Sequence, residues 1–311
     1  MYTRLIRPLF IAGTLLLLSL SLLALPPGGA QFMELLSHFK VHLALSSAVT
    51  LLLAALLRLR LAVAVAALAL LIDAAAIVPL WLPADPPAAD GPTLHLLSFN
   101  VLRFNKRYDA TRAYIRREAP DLVLLFETTY DWSNALLPLH EDYPYRYEAC
   151  QWGYFGIVLL SRYPLDTAEL HFPLPSEIPV LRAVVQTPGG PLGLLAVHPP
   201  SPPDADEHRA RDRLLAALPT LAAPLPPDRL IVGDLNTTSF SPVFGQLLRA
   251  TGLRDSRQGY GVQSTFPSRW VPLGITLDHV LHSPGMAVAD RSVGPALGSD
   301  HRPVSVRLRL P

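Results

Sequence analysis

Hydrophobic positions along this chain obey different rules on either side of residue 84. Before it, apolar residues run on without a period: 9–25 holds no charge, 41–57 carries only His42 and small hydroxyls, and 61–82 carries only Asp73. Each run approaches the ~20 residues that a helix needs to cross a bilayer. The pattern therefore predicts three transmembrane helices in a membrane region spanning 1–83. Beyond it, short apolar runs alternate with turn residues. Leu94–Phe99 and Leu122–Phe126 read as buried strands flanking an amphipathic helix, Asp109–Glu118. Ile157–Ser161, Arg182–Thr187 and Gly193–His198 follow as strands, the last two joined by the turn Pro188-Gly189-Gly190 and so antiparallel. Asp206–Leu218 and Pro242–Thr251 read as helices, the second stopping before Gly252. Leu230–Gly233, Thr276–His282 and Arg302–Leu310 complete the strands. Strands with interspersed helices predict stacked sheets with helices outside them.

Composition sharpens the division. The 311 residues are 50% hydrophobic and 16% charged, too apolar for one ordinary soluble domain. A Pro-rich stretch, 84–92, reads as a stiff spacer ahead of a domain at 93–311. Arg4 and Arg7 precede the first apolar run, and Arg58 and Arg60 separate the second from the third. The positive-inside bias then puts those segments in the cytoplasm and the domain outside it. The competing reading of the first run is a cleaved signal peptide with its exit at Pro26–Ala30. Asp73 would be costly facing lipid, so it is expected to hydrogen-bond between helices. Five of 26 basic and three of 25 acidic residues precede residue 86, which leaves the following domain close to neutral. That balance argues against a broad electrostatic grip on nucleic acid. One cysteine, Cys150, excludes an intramolecular disulfide.

The chemistry lies where apolar runs end. Asn100 closes one strand, Glu127 another, and Gly233-Asp234-Leu235-Asn236 a third, while Asp278 opens a strand and Ser299-Asp300-His301 precedes the last. Carboxylates that hold a hard cation, with an imidazole nearby, are what hydrolysis of a phosphate ester needs: neutralised charge, an aligned water and a proton for the leaving oxygen. Oxygen donors without clustered cysteines suit magnesium or manganese. Taken singly, these residues also fit turns, caps and solvated strand ends. His279, next to Asp278, should face away from the site. Thr265-Phe266-Pro267 and Trp270 could line a substrate or pack a sheet edge.

In order, Phe99-Asn100-Val101, Phe126-Glu127-Thr128, Ser161-Arg162-Tyr163-Pro164, Val197-His198-Pro199, Gly233-Asp234-Leu235-Asn236, Leu277-Asp278-His279-Val280 and Ser299-Asp300-His301-Arg302-Pro303-Val304 resemble the motifs of the endonuclease/exonuclease/phosphatase superfamily. That superfamily includes deoxyribonucleases, apurinic endonucleases, neutral sphingomyelinases and inositol polyphosphate phosphatases. The resemblance covers 93–310 and implies a four-layer α/β/β/α sandwich. It further implies metal binding by Glu127 with Asn100 and Asp300, and orientation or deprotonation of the attacking water by Asp234. Asn236 would hold the phosphate or that aspartate, His301 would contact the phosphoryl oxygen or move a proton with Asp278 fixing its tautomer, and His198 would assist the leaving group. The expected protein is a membrane-anchored, magnesium-dependent phosphoesterase outside a bacterial cytoplasmic membrane, acting on nucleic acid or phospholipid. A binding module that kept the fold and lost catalysis is the alternative.

Overall fold

The computed structural model describes residues 2–25, 31–83, 90–174, 178–202, 204–270 and 273–311. The suggested signal-peptide exit and residues 84–89 of the spacer lie outside them. Gly91 and Pro92 already exchange backbone hydrogen bonds with Leu310.

Eight helices and twelve strands follow one another among the described residues. The N-terminal region holds α1 (Tyr2–Leu23), α2 (Gln31–Ser37), α3 (Lys40–Leu56) and α4 (Arg60–Ile77), the last continuing as a 3-10 turn, Val78–Trp81. The following domain runs β1 (Thr93–Asn100), α5 (Tyr108–Glu118), β2 (Leu122–Phe126), α6 (Tyr130–Leu136), β3 (Tyr145–Ala149), β4 (Ile157–Ser161), β5 (Leu165–His171), β6 (Val180–Thr187), β7 (Gly190–Val197), α7 (Ala205–Ala222), β8 (Arg229–Asp234), α8 (Pro242–Thr251), β9 (Arg254–Asp255), β10 (Asp278–His282), β11 (Ala287–Val293) and β12 (Val304–Arg309).

Two six-stranded sheets result, ordered β11-β12-β1-β2-β4-β3 and β5-β6-β7-β8-β10-β9. Period-two alternation sorts the side chains of each strand. Leu94, Leu96, Leu122, Leu124, Leu194, Leu230, Val232 and Val280 face inward and form one core between the sheets. Leu97, Phe99, Val123 and Leu125 face outward under α5 and α6, against Tyr114, Ile115 and Trp132. Leu195, Val197, Ile231 and Leu281 face outward under α7 and α8, against Leu214, Leu218 and Phe244. These three apolar layers separate four layers of structure.

The membrane reading needs correction. Among the described residues one helix, Arg60–Trp81, is long and apolar enough to cross a bilayer. The expected second span, 41–57, is α3, whose 17 residues pass for a span only when joined to α2, from which it is bent by 67°. The apolar part of the first, Arg7–Leu23, falls short of a full span: its 17 residues rise ~26 Å against a hydrocarbon core of ~30 Å. Three apolar runs therefore make three helices but not three spans. α1, α3 and α4 pack together around a buried polar knot. Lys40 Nζ donates to Asp73 Oδ1 at 3.0 Å, and Ser21 Oγ to Asp73 Oδ2 at 2.7 Å. Asp73 thus hydrogen-bonds between helices, and its cationic partner comes from the start of α3.

Nor does the spacer hold the regions apart. Gln258 Nε2 donates to the carbonyls of Pro79 and Leu82, and the N–H groups of Gly259 and Gly261 to that of Leu80. His42 Nε2 lies 2.8 Å from the Leu273 carbonyl.

Candidate active site

Alternation delivers most of the site. Asn100 at the end of β1, Asp234 at the end of β8 and Asp278 at the start of β10 each continue the inward-facing parity of their strands. They meet at one rim of the sandwich. Asp278 and Asp234 are register partners across the antiparallel pair β10–β8. Asn100 joins the sheets: its Nδ2 donates to Glu127 Oε1 and to Asp234 Oδ2, each at 3.0 Å. Glu127 is reached differently. It follows the inward-facing Phe126, so continued alternation would turn it outward; its backbone instead takes φ +60°. A non-glycine residue held in this region stores strain that recurs at functional sites. Its Oε2 accepts from the Arg103 N–H at 3.2 Å.

Two glycines make room for the loops. A Cβ on Gly233 would meet the Val197 carbonyl oxygen at 1.8 Å, so only glycine lets β8 lie this close to β7 ahead of Asp234. Gly298, at φ +96°, turns the chain into Ser299-Asp300-His301. Ser299 then pins the turn: its Oγ donates to the Asn100 carbonyl at 2.7 Å and accepts the His301 N–H at 3.0 Å.

His301 sits between two carboxylates. Its Nδ1 lies 2.8 Å from Asp278 Oδ2 and its Nε2 3.4 Å from Asp234 Oδ2. Burial disfavours the charged ring, but Asp278 and Asp234 outweigh it and hold His301 up at about 10. Burial raises Asp278 in turn, although His301 opposes that. The proton the pair shares belongs on the imidazole, because two carboxylates face the ring and only one cation faces Asp278. Asp234 is held well below the usual carboxylate range: burial works against this, but His301 and His198 outweigh it. His198 Nδ1 bonds the Tyr154 carbonyl at 3.0 Å, and its Nε2 lies 3.5 Å from Asp234 Oδ2. Burial lowers His198 and Asp234 raises it, with a net rise. Asn236, at φ +48°, donates its N–H to Asp234 Oδ1 at 3.0 Å and its Nδ2 to the Pro199 carbonyl at 2.9 Å.

The structure thus gathers Asn100, Glu127, His198, Asp234, Asn236, Asp278 and His301. Asp300 is exposed, with its Oδ1 3.3 Å from Ser299 Oγ. His279 faces away, bonding the Thr237 carbonyl and packing on Phe244. Phe266 packs on the His301 ring, centroids 5.0 Å apart, while Trp270 is 64% exposed. Sequence reasoning gave no role to Ser299, and read Thr265 only as part of a substrate-lining or edge-packing segment, whereas its Oγ1 accepts from the Asp278 N–H at 3.3 Å. Ser299 carried a signal in its place beside Asp300-His301; Thr265 carried none beyond the aromatic segment around it.

Which residues suit a cation follows from the donors. Asp234, Asp278 and His301 bring ligand atoms within 4.8 Å of one another. A protonated imidazole spanning two carboxylates is no ligand, however. Glu127 offers carboxylate oxygens beside the Asn100 amide, whose Nδ2 bonds Glu127 Oε1 at 3.0 Å. That set fits a hard divalent ion.

The sequence profile of the Endonuclease/Exonuclease/phosphatase family matches residues 97–301. Among solved structures, D. rerio TDP2 complexed with single strand DNA product is 18% identical, with a TM-score of 0.60 over 70% of this chain and 98% of that one. The endonuclease/exonuclease/phosphatase from Beutenbergia cavernae is 19% identical, with a TM-score of 0.59 over 70% of this chain and 72% of that one. Sphingomyelinase C from Streptomyces griseocarneus is 16% identical, with a TM-score of 0.52 over 70% and 99%. At these identities the likeness is one of fold. No curated protein matches the sequence.

Proposed function

The chain belongs to the endonuclease/exonuclease/phosphatase family, and from that premise we propose that it hydrolyses a phosphodiester with the help of a divalent cation. One observation carries the reading: a single amide nitrogen, Asn100 Nδ2, bonds both Glu127 and Asp234. It ties the residues suited to a cation to those suited to water and phosphate.

Glu127, with Asn100 and Asp300, would hold magnesium, with manganese as the alternative, and the bound ion would neutralise phosphate charge and acidify a nearby water. Asp234 stays ionised at working pH, accepts a proton of the attacking water in a hydrogen bond and so sets its line of approach. Its low basicity favours this orienting role over outright deprotonation. His301, kept cationic by Asp278, presents Nε2–H to a phosphoryl oxygen. His198 bonds the Tyr154 carbonyl through Nδ1 and turns Nε2 toward Asp234, 3.5 Å away, from where that nitrogen would carry a proton toward the leaving oxygen. The Asn236 N–H holds Asp234 in place.

A lipid headgroup is the substrate class this reading favours. The loop from Phe266, on His301, runs through the exposed Trp270 to Leu273, whose carbonyl bonds His42 of α3. That loop links the site to the apolar helices. Arg58, in the turn before α4, and Arg60, at its start, support an orientation with the domain outside a cytoplasmic membrane. A second reading, single-stranded nucleic acid, draws on Arg103, which lies 4.6 Å from the ring centroids of both Phe104 and Tyr154, side chains that are largely exposed. An exposed aromatic pair with a guanidinium suits a base and its phosphate. Full-length protein in mild detergent, assayed on sphingomyelin vesicles and on single-stranded DNA with magnesium or chelator, separates the two. Hydrolysis of neither would leave a binding module.

A further inference from the structure

The N-terminal helices touch the site from behind. The carboxylate of Glu34, on α2, is buried and has four partners. His38 Nε2 lies 2.9 Å from Oε1, His208 Nε2 3.1 Å from Oε2, Arg211 Nη2 3.2 Å from Oε1, and Thr237 Oγ1 donates to Oε1 at 3.2 Å. His208 and Arg211 stand on α7, and Thr237 follows Asn236. Arg211 has no exposed surface. Its Nη1 donates to the Asn236 carbonyl at 3.0 Å, while Nε and Nη2 reach Asp212 Oδ1 at 2.9 and 2.7 Å.

Asn236 is a place where a grip on the backbone matters. At φ +48° its conformation persists only if its surroundings enforce it. Its N–H caps Asp234 Oδ1, so a displaced Asn236 peptide would release one oxygen of that carboxylate. The residue holds on through Pro199 on one side and Arg211 on the other. Without Glu34, the buried guanidinium would face only Asp212, whose side chain is 35% exposed, and it would be drawn toward solvent and away from the Asn236 carbonyl.

We infer that Glu34 is a positioning residue for the reaction: it compensates the charge of Arg211 and, through Arg211 and Thr237, fixes the Asn236 peptide and with it the direction of Asp234. The helical region is then a working part of the enzyme and not only an anchor. This rests on the reading that Asp234 and Asn236 act on a phosphoester.

The test uses full-length protein in detergent, magnesium and a chromogenic phosphodiester. Glu34→Gln and Glu34→Ala should lower kcat ten- to a hundredfold with KM within twofold, a split that marks loss of an interaction made in the transition state. Glu34→Asp should recover part of the loss. Amide hydrogen exchange over 235–238 should quicken in Glu34→Gln. Gln258→Ala, which severs a separate contact with the helices, should keep wild-type kcat. Wild-type kcat and exchange in Glu34→Gln would overturn the inference; so would an equal loss in Gln258→Ala, which would assign the effect to docking in general. If Glu34→Ala fails to fold, Glu34→Gln and Thr237→Val carry the same comparison. Should the wild type itself hydrolyse nothing, the phosphoesterase reading falls, while the exchange measurement still decides whether Glu34 holds the loop.

Discussion

Asp278 and Asp234 face each other as register partners on two antiparallel strands, and His301 bridges them with its two nitrogens, 2.8 Å from one and 3.4 Å from the other. Two buried carboxylates this close would repel; the imidazolium between them makes the arrangement stable and sets the charge of the site.

That charge can be titrated. His301 lies at about 10 in the fold against an ordinary 6.5. Its contribution to stability is therefore complete below 6.5 and is lost as pH rises through about 10. Activity that needs the cationic ring should fall over the same alkaline range. Asp278→Asn removes one of the two opposing charges and should move the basic limb of kcat/KM to lower pH by roughly one unit or more. A pH–rate profile checks it; an unmoved limb would take His301 out of the proton inventory.

Glu127→Gln should act on the cation. It keeps the hydrogen bond from the Arg103 N–H in shape but removes the charge, so the magnesium concentration giving half-maximal rate should rise by about tenfold or more. Titration of chelated enzyme with magnesium reads this directly.

Arg103, held against Phe104 and Tyr154 at the mouth, should matter for binding more than for chemistry. Arg103→Ala is expected to raise KM by about five- to tenfold, on the order of 1 kcal/mol, and to leave kcat within twofold. Steady-state kinetics at low salt gives the split.

The polar knot among the N-terminal helices should be costly to break on one side. Asp73 and Lys40 are both buried. Lys40→Met leaves Asp73 unpaired and should cost about 3–5 kcal/mol, with Lys40→Met/Asp73→Leu recovering much of it. Thermal unfolding in detergent compares the single and double variants.

Much of the fold was legible because buried strands announce themselves. β2 and β4 fall where their apolar runs put them, and α8 ends at Gly252, whose φ of +69° suits a helix stop. β3, β5 and β11 were missed: their side chains are half-exposed and mixed in polarity, and they hold their places by pairing with β4, β6 and β12. In the site, Asn100, Asp234 and Asp278 could be read from strand parity. The aim of Glu127 could not, because it depends on a left-handed backbone that no local pattern requires. The membrane region was over-read because an apolar run looks alike whether it crosses a bilayer or packs beside other helices around a buried charge. Glu34 gave no sign of its role, since apart from His38 its partners, His208, Arg211 and Thr237, lie some two hundred residues further along the chain.

Hydrolysis of bis(p-nitrophenyl) phosphate by the full-length protein, wild type against Asp234→Asn, decides whether this site cleaves phosphodiesters with the help of a cation. Wild-type activity should be abolished by chelator and restored by magnesium, and kcat should fall by about a hundredfold or more in an Asp234→Asn variant that melts like the wild type. A rate that ignores chelator, or one that Asp234→Asn leaves unchanged, would contradict such cleavage.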